Sequence, residues 1–209
     1  MPARVEKVVT SGTFNLDGGS WEVDNNVWLL GDDEQVLVID AAHDAGTIAA
    51  AAGGREVVAI ACTHAHDDHV NAAPALSAKT GAPVLLHPAD DVLWRLTHGD
   101  TRPAGELADG DTLSVAGVEV QVLHTPGHAP GAVCLHVPAL GVVFTGDTLF
   151  NGGPGATGRS HSDFGTIVDS IRDRLLTLPP ETVVHTGHGE DTAIGAEAPH
   201  LGEWIARGH

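Results

Sequence analysis

Short apolar runs separated by turn residues make up most of the chain. Nine of them have strand length and strand-forming content: residues 3–10 (ARVEKVVT), 25–31 (NNVWLLG), 35–40 (QVLVID), 56–63 (EVVAIACT), 82–87 (APVLLH), 118–124 (VEVQVLH), 132–137 (AVCLHV), 141–146 (GVVFTG) and 182–187 (TVVHTG). Helices are predicted over 43–52, 69–80, 88–97, 163–178 and 193–206. In the fourth, Phe164, Ile167, Ile171, Leu175 and Leu178 recur at helical spacing and form one apolar face. Strands outnumber helices, and helices occur in both halves. That pattern predicts sheet packed on sheet with helices outside, a layered α/β sandwich.

The length of 209 residues suits a single domain spanning 1–209. Segments 98–111 and 151–163 read as loops, and loops of this length in a compact domain tend to carry function. The composition, 42% hydrophobic and 18% charged, is that of a folding chain. Ten Lys and Arg against 28 Asp and Glu give a net charge of −18, which argues against nucleic acid or an anionic membrane as partner. No apolar run reaches the roughly 18 residues of a membrane span. The N-terminus lacks a leader-like apolar stretch, so the expected location is the cytoplasm. Cys62 and Cys134 lie in apolar runs and read as buried thiols. The oligomeric state is not legible.

Candidate chemistry follows the strands. EVVAIACT leads into His64, His66, Asp68 and His69; VEVQVLHTPG into His128; GVVFTG into Asp147; TVVHTG into His188. Loops at strand ends gather on one edge of a sheet, where sites form. In extended backbone residues two apart point the same way, so His64 and His66 can grip one ion. Asp68 and His69 lie where a helix begins and can turn towards a second. Imidazole with carboxylate suits zinc or iron.

The set His64-x-His66-x-Asp68-His69, His128 in TPGH, Asp147 in TGDTLF and His188 in GHG resembles the metallo-β-lactamase superfamily, in order along nearly the whole chain. The resemblance implies an αββα four-layer sandwich with a two-metal site between the sheets. His64, His66 and His128 would hold one divalent ion, Asp68, His69 and His188 the other, and Asp147 would bridge them. Asp40 matches a supporting aspartate of the family. The metals are expected to be zinc, with iron or manganese as alternatives.

Within the family the chain looks like glyoxalase II (hydroxyacylglutathione hydrolase), through TPGHAPGAVCL, FTGDTLF and HTGHGEDTAIGAE. That resemblance implies hydrolysis of a small-molecule acyl thioester of glutathione or mycothiol type, with Asp68 as a proton acceptor. Asp147 argues against a true β-lactamase, the absence of tyrosine against the lactone hydrolases, and the acidic charge against the RNA-processing nucleases. A lactone or other ester hydrolase is retained as an alternative. So is a mononuclear-iron persulfide dioxygenase, which would use the positions of His64, His128 and Asp147. Only 21 residues follow His188 (209 − 188), so no helical glutathione-gripping domain is expected after it. Arg159 and His161 in one long loop, and Trp94 beside the other, are the candidate substrate contacts. His43, His87, His124, His136 and His185 read as structural.

Overall fold

The computed structural model describes residues 2–208; Met1 and His209 of the expected 1–209 domain lie outside it. The first half builds a six-stranded sheet in chain order: β1 (Arg4–Leu16), β2 (Gly19–Gly31), β3 (Gln35–Ile39), β4 (Glu56–Ala61), β5 (Val84–Leu86) and β6 (Gly105–Glu106). Antiparallel pairing joins β1, β2 and β3; from β3 to β6 the pairing is parallel. The second half contributes β7 (Thr112–Val115), β8 (Val118–His124), β9 (Val133–Val137) and β10 (Val142–Gly146). A small ribbon of β11 (Leu149–Phe150) and β12 (Gly153–Pro154) follows, then β13 (Val183–Thr186) and β14 (Thr192–Ala193). The second sheet runs β14-β13-β10-β9-β8-β7.

Side chains alternate across each strand, so every strand serves two layers. In β2, Val27 and Leu29 face a helical layer, where they meet Ile48 of α1 (Ala45–Ala52), Leu76 of α3 (Ala73–Thr80) and Leu93 and Trp94 of α4 (Asp91–His98); the short α2 (Asp67–Val70) precedes α3. Trp28 and Leu30 of the same strand face the second sheet, where they join Val122, Leu135 and Phe144. Cys134 and Val143 face outward again, onto Ile167 of α5 (Phe164–Ser170) and, past the short α6 (Ile194–Glu197), Trp204 of α7 (Leu201–Arg207). These are the four layers of an αββα sandwich. Phe144 is fully buried between the sheets, and burial of such a side chain stabilises by about 1.5–3 kcal/mol.

Several elements depart from the expected bounds. The two N-terminal strands extend to 13 residues each and join through Asp17 and Gly18, both at positive φ. This Asp-Gly pair is a hairpin turn signal; the polar, exposed flanking residues hid the strands. The helix expected over 69–80 breaks into α2 and α3, with Pro74 seated at the start of α3 where its missing N–H costs nothing. The helix expected over 163–178 runs as α5 and then widens into a π turn at Ile171–Leu175. Segment 98–111 contains β6, and β7 follows it unanticipated. No helix among the described residues is long and apolar enough to cross a membrane. Both cysteines are free and buried.

Candidate metal centre

The strand-end segments converge at one edge of the sandwich. His64, His66 and His128 form one buried group, with His66 Nδ1 3.1 Å from His64 Nε2 and 2.9 Å from His128 Nε2. Asp68, His69 and His188 form a second, with His69 Nε2 3.2 Å from His188 Nε2 and Asp68 Oδ2 3.3 Å from His188 Nε2. Asp147 stands between the groups. Its Oδ1 is 3.3 Å from His69 Nε2, and its Oδ2 is 3.5 Å from His188 Nε2 and 3.6 Å from His128 Nε2.

Hydrogen bonds on the far sides of the rings decide the tautomers. His69 Nδ1 donates to Asp40 Oδ2 (2.8 Å), His128 Nδ1 to the Ala156 carbonyl (2.8 Å) and His188 Nδ1 to the Asp24 carbonyl (2.7 Å). The Thr63 hydroxyl donates to Asp40 Oδ2, which leaves its oxygen to accept from His64 Nδ1. In their neutral forms these four rings therefore turn a bare Nε2 lone pair inward, the usual way outer partners orient metal-binding imidazoles. His66 offers Nδ1 to the same point, and Asp147 Oδ1 is buried there without a hydrogen bond. With the rings neutral, these converging lone pairs fit cations, and the mixed imidazole and carboxylate donors fit zinc or iron.

The two halves differ electrostatically. Burial holds His64, His66 and His128 below the usual histidine range, His66 at about 3, so all three are neutral at pH 7. Burial also opposes charge on His188, but Asp147 and Asp68 outweigh it and raise His188 to about 10; Asp68, Asp147 and Asp40 do the same for His69. Metal entering the second half must displace these protons. Titration with zinc at pH 8, in buffers of different ionisation enthalpy, is expected to release at least one proton per chain. Zero release would contradict this assignment. In the metal-free chain the raised His188 contributes stability that is fully present below 6.5 and lost as pH rises through about 10. Unfolding midpoints of metal-free protein are expected to fall across that window.

Several supporting groups escaped the sequence reading. Asp90 is fully buried and accepts from Ala65 N (2.7 Å), between His64 and His66, and from Gly131 N beside the His128 loop. It clamps two ligand-bearing loops together. Asp90→Ala orphans both donors and is expected to cost about 2–4 kcal/mol in urea unfolding; a loss under 0.5 kcal/mol would refute the clamp. Asn25 Nδ2 donates to Asp68 Oδ2 (3.0 Å), and its Oδ1 meets His43 Nε2 (2.8 Å). His43, read as purely structural, thus supports the centre at one remove. Asp40, at φ 61, also takes Thr63 N (2.7 Å) and has the supporting place expected of it.

The expected substrate contacts separate. Arg159 lines the cavity beside the centre, together with Phe14, Val23, Phe150 and Ser162; the cavity volume is about 240 Å³. His161 is exposed and lies outside that lining. Trp94 is 1% exposed, packs in the helical layer and donates through Nε1 to the Thr101 carbonyl (2.8 Å), which corrects its expected role as a substrate contact. Phe14 and Trp21 come from the unpredicted part of the hairpin, where only the Asp-Gly turn could have announced them.

Known proteins agree with this architecture. Residues 21–188 match the family described as the Metallo-beta-lactamase superfamily. A probable metallo-hydrolase, YqgX, of Bacillus subtilis (strain 168) is 34% identical over 82% of this chain and 88% of its own length. The hydroxyacylglutathione hydrolase GloC of Haemophilus influenzae is 34% identical over 65% of this chain and 70% of its own. The crystal structure of TTHA1623 in a di-iron-bound form superposes with a TM-score of 0.75 at 36% identity, covering 84% of this chain and 93% of that one. The family match over most of the chain, the relatives and the αββα layers together make this chain a member of the metallo-β-lactamase superfamily.

Proposed function

We propose that the chain hydrolyses acyl thioesters of a low-molecular-weight thiol, of glutathione or mycothiol type. His64, His66 and His128 would hold one divalent ion, Asp68, His69 and His188 a second, and Asp147 both. The observation that carries the reading is the placement of Asp147 between two complete donor groups, at the floor of a small cavity with an apolar wall. The 34% identical hydrolase GloC supports the thioester. When bound, the two ions would lower the pKa of water from 15.7 to about 7 and polarise a carbonyl.

The chain's own groups divide the remaining work. Phe14, Val23 and Phe150 exclude water from the acyl group and the sulfur. Burial opposes charge on Asp68, but His69, His188 and the Asn25 amide hold it at about 2, so it is ionised, the form a metal ligand needs. As hydroxide adds to the carbonyl carbon, its proton would pass by way of Asp68 to the departing sulfur, so that the C–S bond breaks to give the carboxylate and the free thiol.

The test is metal content together with turnover of S-lactoylglutathione, an S-acyl mycothiol, an N-acyl homoserine lactone, a β-lactam and glutathione persulfide. Two metals per chain with thioester turnover is expected. Faster turnover of lactam or lactone would overturn the substrate class. One iron with persulfide-dependent oxygen uptake would overturn the hydrolase reading itself.

A further inference from the structure

One wall of the cavity carries a cation that makes no salt bridge of 4 Å or less among the described residues; Asp17, at the hairpin turn, acts on it only through space. The Arg159 guanidinium carbon lies 4.1 Å from the centre of the Trp21 ring and 4.8 Å from that of Phe14. Its Nη1 is buried and has no hydrogen-bond partner. The loop is anchored through main chain instead: Arg159 N donates to Ser162 Oγ, which in turn donates to the Arg159 carbonyl. The hydrogen bonds that hold the loop therefore leave Nη1 unused. Arg4, Arg55, Arg95, Arg102, Arg172 and Arg174 are all ion-paired to carboxylates. In a chain with 28 acidic residues, an arginine held on two aromatic rings with Nη1 unpartnered is unusual.

Its position is fixed relative to the metal centre. Phe14 and Trp21 are partners across the β1–β2 hairpin, and their rings stack with centres 5.7 Å apart. Phe14 also lies 5.2 Å from the His66 ring, which puts the guanidinium carbon no more than 10 Å from that ring's centre. Asn15 N and Nδ2 donate to Asp67 (2.9 and 2.7 Å), tying the hairpin tip to the helix that carries Asp68 and His69. Ser160 N donates to Asp17 Oδ2 (3.0 Å), tying the Arg159 loop to the hairpin turn. A planar fork of N–H donors, held against two rings and lining the cavity, matches a carboxylate arriving from outside.

We propose that Arg159 is a specificity-determining residue of this site and receives a carboxylate carried by the substrate, on a guanidinium whose carbon is no more than 10 Å from the centre of the His66 ring. The inference rests on the thioester reading. The carboxylate can belong to the thiol carrier or to the acyl group, and the two sources are separable.

Holoenzyme kinetics test it with four esters. S-lactoylglutathione against its diethyl ester places the carboxylate on the carrier. S-succinyl-N-acetylcysteamine against S-butyryl-N-acetylcysteamine places it on the acyl group. In one pair the carboxylated ester is expected to have a tenfold to about 100-fold higher kcat/KM, chiefly through KM. Arg159→Met collapses that ratio to near unity, and Arg159→Lys restores part of it. Equal losses for charged and neutral esters, or no preference in either pair, overturn the proposal. Calorimetric binding needs no turnover: S-methylglutathione and S-(3-carboxypropyl)-N-acetylcysteamine are compared with their neutral esters. If none of the thioesters is hydrolysed but one carboxylate binds better and Arg159→Met removes the difference, the thioester reading fails and the carboxylate receptor stands. If neither carboxylate binds better, the receptor fails, whatever turnover shows.

Discussion

Asp147→Ala is expected to lower kcat/KM by at least about 10³-fold and to reduce bound metal to one equivalent or none. Loss of a single preorganised donor costs about 10²–10³, and Asp147 reaches both donor groups. Its Oδ1 meets His69 Nε2 and its Oδ2 meets His188 and His128. Removing it leaves the second group with Asp68 as the one carboxylate directed at its metal side. The chain should stay folded, because the groups that hold the ligand rings lie behind them: Asp40, the Ala156 carbonyl and the Asp24 carbonyl. Metal content, kcat/KM and the unfolding midpoint of the variant check this. A fully metallated, active Asp147→Ala protein would remove Asp147 from the centre. Asp147→Asn, which keeps the shape and loses the charge, separates packing from electrostatics.

The second large effect is expected from a residue with no side chain. Gly187 sits between β13 and His188, and its N–H donates to the Gly146 carbonyl (2.9 Å) while its carbonyl accepts from Asn26 N (2.8 Å). A methyl group there would press on Asp147 Oδ1 and lie 2.8 Å from His69 Cε1. Only glycine lets these two ligand loops approach so closely. Gly187→Ala is expected to cost at least about 100-fold in activity, since displacing reacting groups by 1 Å costs that much, with the second metal lost before the first. Metal titration of the variant distinguishes the two sites. Retention of both metals at wild-type affinity would show that the loops can yield.

The site was legible in part because its donors are local to strand ends. His64, His66, Asp68 and His69 crowd six positions after an apolar run, and structure brings them to one edge together with His128, Asp147 and His188. Their supporters were hidden. Asp90 looks like any helix-start aspartate, and its two backbone donors come from segments 25 and 41 residues away. Asn25 and His43 reach Asp68 across the first sheet's loops. Trp94 misled because an aromatic beside a long loop reads as a contact, whereas its indole N–H simply finds the Thr101 carbonyl and its ring fills the helical layer. Phe14 and Trp21 were lost with the outer half of the hairpin, where alternation is weakened by solvent on both faces.

By itself the sequence determined the layered strand and helix pattern, because apolar period is a local property, and the crowding of His64, His66, Asp68 and His69, because their spacing is short; the grouping of His128, Asp147 and His188 with them was implied by the family resemblance of the ordered set. Only the tertiary structure decided which lone pairs face inward, which outer groups orient the ligand rings, and that Arg159 lines the cavity while His161 and Trp94 do not. Those outcomes depend on hydrogen bonds and ring contacts between segments far apart in the chain, and no local pattern of residues encodes them.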